Sequence, residues 1–247
     1  MPIFSFCPVY FEKDLHTLLS AHMAPELSLA LCVLLSIVVP YLLGSLNFGI
    51  ILSKLFFHED IRDYGSGNAG TTNMLRTYGK RFAAITLVCD MLKGALAVVF
   101  GALMLNPRAL APVDGIALSA LFVILGHCFP CFYRFKGGKG VATFAMVILI
   151  TRPIVFLILL FAFVVIVAGT KFISLGSIIC ALLFPVFSHS LYTGEETGWF
   201  NLAAVAIALL VVFMHRANIG RLLAGKESKL SFSKKQKTEI KKDTDET

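Results

Sequence analysis

Six stretches of this chain stay apolar for nearly the length that a bilayer demands: Leu27–Ser53, Phe82–Leu105, Gly115–Phe135, Pro153–Gly169, Phe172–Leu191 and Trp199–Met214. A spanning helix needs roughly 20 mostly apolar residues, because lipid offers the backbone no hydrogen-bond partner. A seventh run, Val141–Thr151, is cut short by Arg152-Pro153. As a helix it rises only about 16 Å, so it must borrow length from the glycines before it or be half-inserted. A mean hydropathy of +0.81 with 15% charged residues lies outside the soluble globular class. The pattern predicts an all-α, polytopic membrane protein.

Charge sets the orientation. Lys54, Arg62, Arg76, Lys80 and Arg81 crowd the first connection, and Arg134, Lys136 and Lys139 the third. The segments 106–114 and 193–198 are poor in base, and everything from His215 on is strongly basic. Under the positive-inside rule, the alternation fits seven transmembrane helices with the N-terminus outside and the C-terminus cytoplasmic. The parity holds only if Val141–Thr151 crosses. Residues 1–26 lack a basic n-region followed by an apolar core, so they are expected to be an uncleaved extracytoplasmic extension. Residues 27–227 form the membrane domain, and 228–247 a basic, disordered cytoplasmic tail. Five of the six cysteines lie in apolar stretches, where a thiol acts as a small hydrophobe. Cys128-Phe-Pro-Cys131 has no βαβ context for redox work.

Three motif-like segments fall on the cytoplasmic side. In the nine residues 65–73, GSGNAGTTN, three glycines, three hydroxyls and two amides stand together without a charge, and Arg76 follows. Glycines let several N–H groups converge, while Ser, Thr and Asn add neutral donors, so the loop suits a phosphate or another oxyanion. An ordinary connecting loop uses the same residues. In Phe135-Lys136-Gly137-Gly138-Lys139-Gly140, two lysines flank two glycines where a span begins. That suits an anion at a helix N-terminus; two interfacial lysines under the positive-inside rule are the more ordinary meaning of such a segment alone. The Walker spacing is absent, so nucleotide binding is unsupported. In His215-Arg216-Ala217-Asn218, the His and Asn share a helix face at the end of the last span. This reads as a base or oxyanion donor, or as a polar helix end.

Asp90, Lys93 and His127 lie inside spans, where ionisable groups are costly and usually face the protein interior. Asp90 and Lys93, three apart, can pair. His58…Asp63 matches H-x-x-x-x-D, two residues in a loop already rich in charge.

The ordered set Gly44-Ser45, Phe48-Gly49, Asp60-Ile61-Arg62, GSGNAGTTNMLR, Asp90…Lys93-Gly94, Gly126-His127, FKGGKGVAT and HRANIGRLLAGKE resembles the bacterial acyl-phosphate:glycerol-3-phosphate acyltransferases, the PlsY family. The resemblance runs from about Leu27 to Glu227. It implies a multi-pass enzyme of the cytoplasmic (inner) membrane with its active site facing the cytosol. The reaction it implies moves an acyl group from acyl phosphate to the sn-1 hydroxyl of glycerol 3-phosphate. Lysophosphatidic acid and phosphate form, the first step of phospholipid synthesis. Membrane lipids surround the enzyme. No cofactor, metal, acyl-CoA, acyl carrier protein or nucleic acid is expected, and a monomer is the expected state. Carried over by position, Ser66, Arg76, His215 and Asn218 are implied to be catalytic. Asn68, Thr72, Asn73, Gly137, Gly138, Lys139, Gly140, Ser177 and Glu227 are implied to bind substrate. The chain departs from the family pattern at Asn47, where proline is common, and at Thr71 and Gly176, where alanine is common.

Two other readings use the same residues. A transporter of an anionic metabolite would need the polar loops and the intramembrane charges, but no internal repeat is evident. A lipid-binding scaffold would rest on the basic tail.

Overall fold

The structure, a computed structural model, describes residues 14–105, 114–192 and 198–230. Among these, all regular structure is helical. Short α1 (Leu15–Leu19) precedes α2 (Pro25–Ser45) and α3 (Phe48–Phe57). Amphipathic α4 (Thr71–Tyr78) then leads through Gly79 into α5 (Lys80–Met104). The series continues with α6 (Gly115–Cys128), α7 (Val141–Thr151), α8 (Pro153–Thr170), α9 (Ile173–Leu191), α10 (Gly198–Met214) and α11 (Arg216–Leu223). Two 3-10 turns, Ile61–Asp63 and Cys131–Tyr133, shape the connections.

Five helical segments of the described residues are long and apolar enough to cross a membrane, or six if α10 and α11, bent by 56°, count as one. The segment counted first joins α2 and α3, and α7 is shorter than the rest. Apolar periodicity located these helices well, with two differences. The first run is one hydrophobic stretch in sequence but breaks at Leu46–Asn47, both extended. The third run stops at Cys128 rather than Phe135, because Phe129-Pro130 cannot continue a helix. In the N-terminal extension, α1 is capped by the Asp14 carboxylate, and His16 Nδ1 meets Ser28 Oγ at 2.8 Å. The expectations for residues 1–13 and 231–247 lie outside the described residues.

Helix α6 sits at the centre, against α2, α5 and α10, while α8 packs on α7 and α9 at the periphery. The α2–α6 contact is close because it is made by glycines. A Cβ on Gly44 would fall 2.1 Å from Val123 O, and one on Gly126 2.2 Å from Tyr41 O. Small residues of this kind let membrane helices approach backbone to backbone. Buried Phe144, Phe184 and Phe200 meet edge to face at 5.1 and 6.3 Å between centroids. Leu157 and Phe161 of α8 are 62% and 73% exposed, as a lipid-facing side requires.

The bundle has two distinct ends. At one, Arg152 between α7 and α8 lies 4.4 Å from the Tyr192 ring and 4.3 Å from Phe200, where α9 ends and α10 begins. At the other, the connections before α4, before α7 and after α10 come together.

Candidate active site

The 65–73 loop is organised by one side chain. Buried Asn73 accepts from Ser66 N through Oδ1 at 2.9 Å. Its Nδ2 donates to the carbonyls of Ile61, Tyr64 and Asn68 at 3.1, 2.9 and 2.9 Å. Asn73 was expected to contact substrate, whereas its amide is committed to holding the loop. Gly65 adopts φ +63°, and any Cβ there would strike Asn73 Oδ1 at 2.3 Å. Asn68 Oδ1 turns inward to Gly70 N at 2.9 Å. Exposed Ser66 and half-buried Thr72 remain reachable from solvent. Arg76, one turn after Thr72 on α4, points its guanidinium at Ser228 O, 3.5 Å away. Burial lowers its pKa, with Glu227 opposing and Arg221 adding to the shift.

The glycines of the second loop serve packing first. Gly137 N donates to Cys128 O at 3.2 Å and Gly138 N to His127 O at 3.1 Å. A Cβ on Gly138 would lie 2.1 Å from His127 Nε2. These two N–H groups are thus spent on the end of α6 rather than turned to a ligand. Gly140, at φ +76°, starts α7. The loop presents Lys139, whose Nζ donates to Asn218 Oδ1. Arg62 straps the loop to the first connection: it pairs with Asp60 at 2.7 Å and donates to Tyr133 O and Lys136 O at 3.0 and 2.8 Å.

The third segment turns at His215, between α10 and α11. His215 Nδ1 lies 2.7 Å from Val211 O. A carbonyl only accepts, so Nδ1 carries the proton and the neutral ring keeps its lone pair on Nε2. Lys139 and Glu227 are its charged neighbours. Asn218 Nδ2 donates to Glu227 Oε1 at 2.7 Å. Ser174 Oγ donates to the same oxygen at 2.8 Å, and Arg221 Nε to Oε2 at 2.8 Å. These bonds outweigh burial and hold the Glu227 carboxyl below its usual pKa. The chain after α11 runs on over α9, with Leu230 N on Lys171 O at 2.7 Å.

Arg76, Lys139, His215, Asn218 and Glu227 therefore converge from three distant stretches of sequence. Ser66 and Asn68 stay on the loop leading into α4, and Thr72 in its first turn. Ser177 bonds back to Ile173 O at 2.9 Å, one turn along α9 from Ser174. Sequence reasoning missed Ser174, Arg221 and the strap role of Arg62. The available signals were the three-residue spacings Ser174–Ser177 and Asn218–Arg221, which place each pair on one helix face.

The chain is similar to known proteins over most of its length. The family profile described as Glycerol-3-phosphate acyltransferase matches residues 34–225. The chain is 41% identical over 199 residues to the glycerol-3-phosphate acyltransferase of Neisseria meningitidis serogroup B, covering 81% of this chain and 98% of that protein. It is 43% identical over 204 residues to that of Cupriavidus necator, covering 82% and 98%. The fold matches the crystal structure of PlsY, an integral membrane glycerol 3-phosphate acyltransferase, in its glycerol 3-phosphate form. That match has a TM-score of 0.72 at 32% identity, over 81% of this chain and 96% of that one. The lysophosphatidic acid form matches with a TM-score of 0.70 at 30% identity.

Proposed function

The chain belongs to the glycerol-3-phosphate acyltransferase family, and from that premise we propose that it draws its acyl group from acyl phosphate and works at the cytosolic face of the bacterial inner membrane. It is an integral membrane acyltransferase of phospholipid synthesis, acting on glycerol 3-phosphate.

The observation that carries the donor assignment is the charge of the converged site. Arg76, Lys139 and Arg221 stand against the single carboxylate of Glu227. Glycerol 3-phosphate and acyl phosphate are both anionic at the reacting end, and a net-positive cluster can hold the two phosphates near each other. Acyl phosphate is a mixed anhydride and needs no protein nucleophile. The sn-1 hydroxyl oxygen attacks the acyl carbon, an ester C–O bond forms, and the C–O bond to phosphate breaks with its electron pair leaving on phosphate. The hydroxyl proton passes to His215 Nε2 or to the departing phosphate. Lys139 holds the glycerol phosphate, with Asn218 fixing its ammonium. Arg76, Ser66 and Thr72 serve the other phosphate oxygens, and Ser177 on α9 adds a further substrate contact. Binding and orientation of this kind supply most of the rate.

Seven crossings are supported by the two ends of α7, and an outside N-terminus by the Lys/Arg-rich loops. Lys139 precedes it at the site, and Arg152 follows it against Tyr192 and Phe200 at the opposite end.

The test is release of phosphate and lysophosphatidic acid by the purified protein from acyl phosphate and glycerol 3-phosphate. Lys139→Ala is expected to raise KM for glycerol 3-phosphate chiefly, and His215→Ala to lower kcat. No release with any chain length of acyl phosphate overturns the donor assignment. Unchanged kinetics in both variants overturns the site.

A further inference from the structure

Lys93 lies outside the converged site, deep among the helices and only 3% exposed. Its Nζ donates to Gly44 O at 2.9 Å and Leu46 O at 2.8 Å, the carbonyls left open where α2 breaks from α3. It also meets His127 Nδ1 at 2.9 Å and pairs with Asp90 at 2.9 Å. The Phe48 ring, at the first residue of α3, lies 5.9 Å from the same ammonium.

Two of these neighbours, helix α3 at Phe48 and His127, each bear on one of the two loops. Helix α3 supports the first loop: a Cβ on Gly49 would fall 2.0 Å from Ala69 O. His127 supports the second, since its carbonyl takes Gly138 N and its ring lies under Gly138. Asn47 Nδ2 reaches that same His127 carbonyl at 3.5 Å. Beyond the second loop, Thr143 Oγ1 donates to Asp90 O at 2.9 Å, which pins the first turn of α7 to α5.

We infer that Lys93, held by Asp90 and His127, is a positioning residue that sets the 65–73 loop and the Lys139 loop at one fixed spacing. This rests on the assignment of both loops to substrate phosphates. An ammonium with several oxygen and nitrogen partners ties two backbone segments and a ring more rigidly than apolar contact would. Misplacement of a charged contact by about 1 Å costs up to about a hundredfold in rate.

The experiment uses the full chain in nanodiscs. Asp90→Asn/Lys93→Met removes both charges together, so neither is left buried alone. His127→Leu removes only the neutral acceptor, and His127→Gln keeps one. Hydrogen exchange reads the amides of Ser66, Gly67, Gly137 and Gly138, which are bonded in the parent. This readout needs no turnover, so it separates failure of the positioning from failure of the acyl-transfer assignment. The double variant and His127→Leu are expected to loosen both loops together while helix α9 keeps its protection. KM for glycerol 3-phosphate should rise about tenfold or more. His127→Gln should stay within about threefold of the parent. Parental exchange in both loops, loosening of one loop alone, or loss of protection throughout the bundle would each overturn the proposal.

Discussion

Lys139 is asked to be cationic in a place that disfavours charge. Burial lowers its pKa to about 8; Glu227 opposes the shift, while Arg221 and Arg76 deepen it. The ammonium form binds phosphate, so kcat/KM for glycerol 3-phosphate should fall above about pH 8, by about tenfold per unit. Bound phosphate raises the pKa, so the limb in kcat should lie at higher pH. Stability moves the other way: between about 8 and the ordinary 10.5, the unfolded chain holds the proton that the folded one has lost, so this group's contribution rises with pH. Lys139→Arg should abolish the limb up to pH 10; a limb unchanged in that variant would assign it elsewhere. Asn73 makes a second prediction. Three carbonyls face its Nδ2, so Asn73→Asp sets a carboxylate oxygen against them, and a loss of about 2–3 kcal/mol in thermal or denaturant stability is expected. Asn68→Ala, losing one bond to Gly70, should cost about 1 kcal/mol. Sequence alone had grouped these two asparagines as substrate neighbours, because an amide's partners are chosen by the folded loop and not by spacing.

At the scale of elements, helices were legible where hydrophobic length decided them and illegible where a tertiary partner did. In Leu42–Ile51, Gly44, Ser45, Asn47 and Gly49 weaken the helix without fixing where it breaks. The break exists because Lys93, nearly fifty residues on, accepts the role of satisfying Gly44 O and Leu46 O. Lys139 and Asn218 were legible because both are polar residues at helix ends. Ser174 was not, because a serine at an interfacial helix start needs no special purpose. Helix α11 and the chain after it act as one piece through Glu227, which clamps Asn218, Ser174 and Arg221. Glu227→Gln turns an amide donor toward at least one of those donors, so Asn218 loses its fixed orientation toward Lys139. Expected is a roughly tenfold fall in kcat/KM for glycerol 3-phosphate. Arg221→Met/Glu227→Gln should regain part of it, since removing both partners costs less than stranding one. A double variant no better than the single would show that Arg221 acts apart from Glu227.

For the whole molecule, everything turns on whether α7 crosses. Its length is only about 16 Å, yet its two ends meet different ends of the bundle. Lys139 touches Asn218 at one, while Arg152 lies between Tyr192 and Phe200 at the other. A crossing α7 would draw its missing length from the glycine loop beside the end of α6 and from Arg152, 4.4 and 4.3 Å from the Tyr192 and Phe200 rings. Seven crossings put Lys80 inside and Gly198 outside; six put both inside. Gly198 is exposed with open space about its Cα, and Lys80 is exposed at the start of α5, so a cysteine at either site is within reach of a reagent on its side of the membrane. In a background freed of the native cysteines, a membrane-impermeant maleimide applied to intact cells should label Gly198→Cys and leave Lys80→Cys unlabelled until the membrane is opened. Protection of both until lysis would mean that α7 enters the bilayer and returns. The C-terminus would then lie outside, and the last motif could reach the cytosolic loops only if α10 did not cross either. The contact between Lys139 and Asn218 argues against failure of α7 alone, because one membrane face must hold both residues for the site to exist.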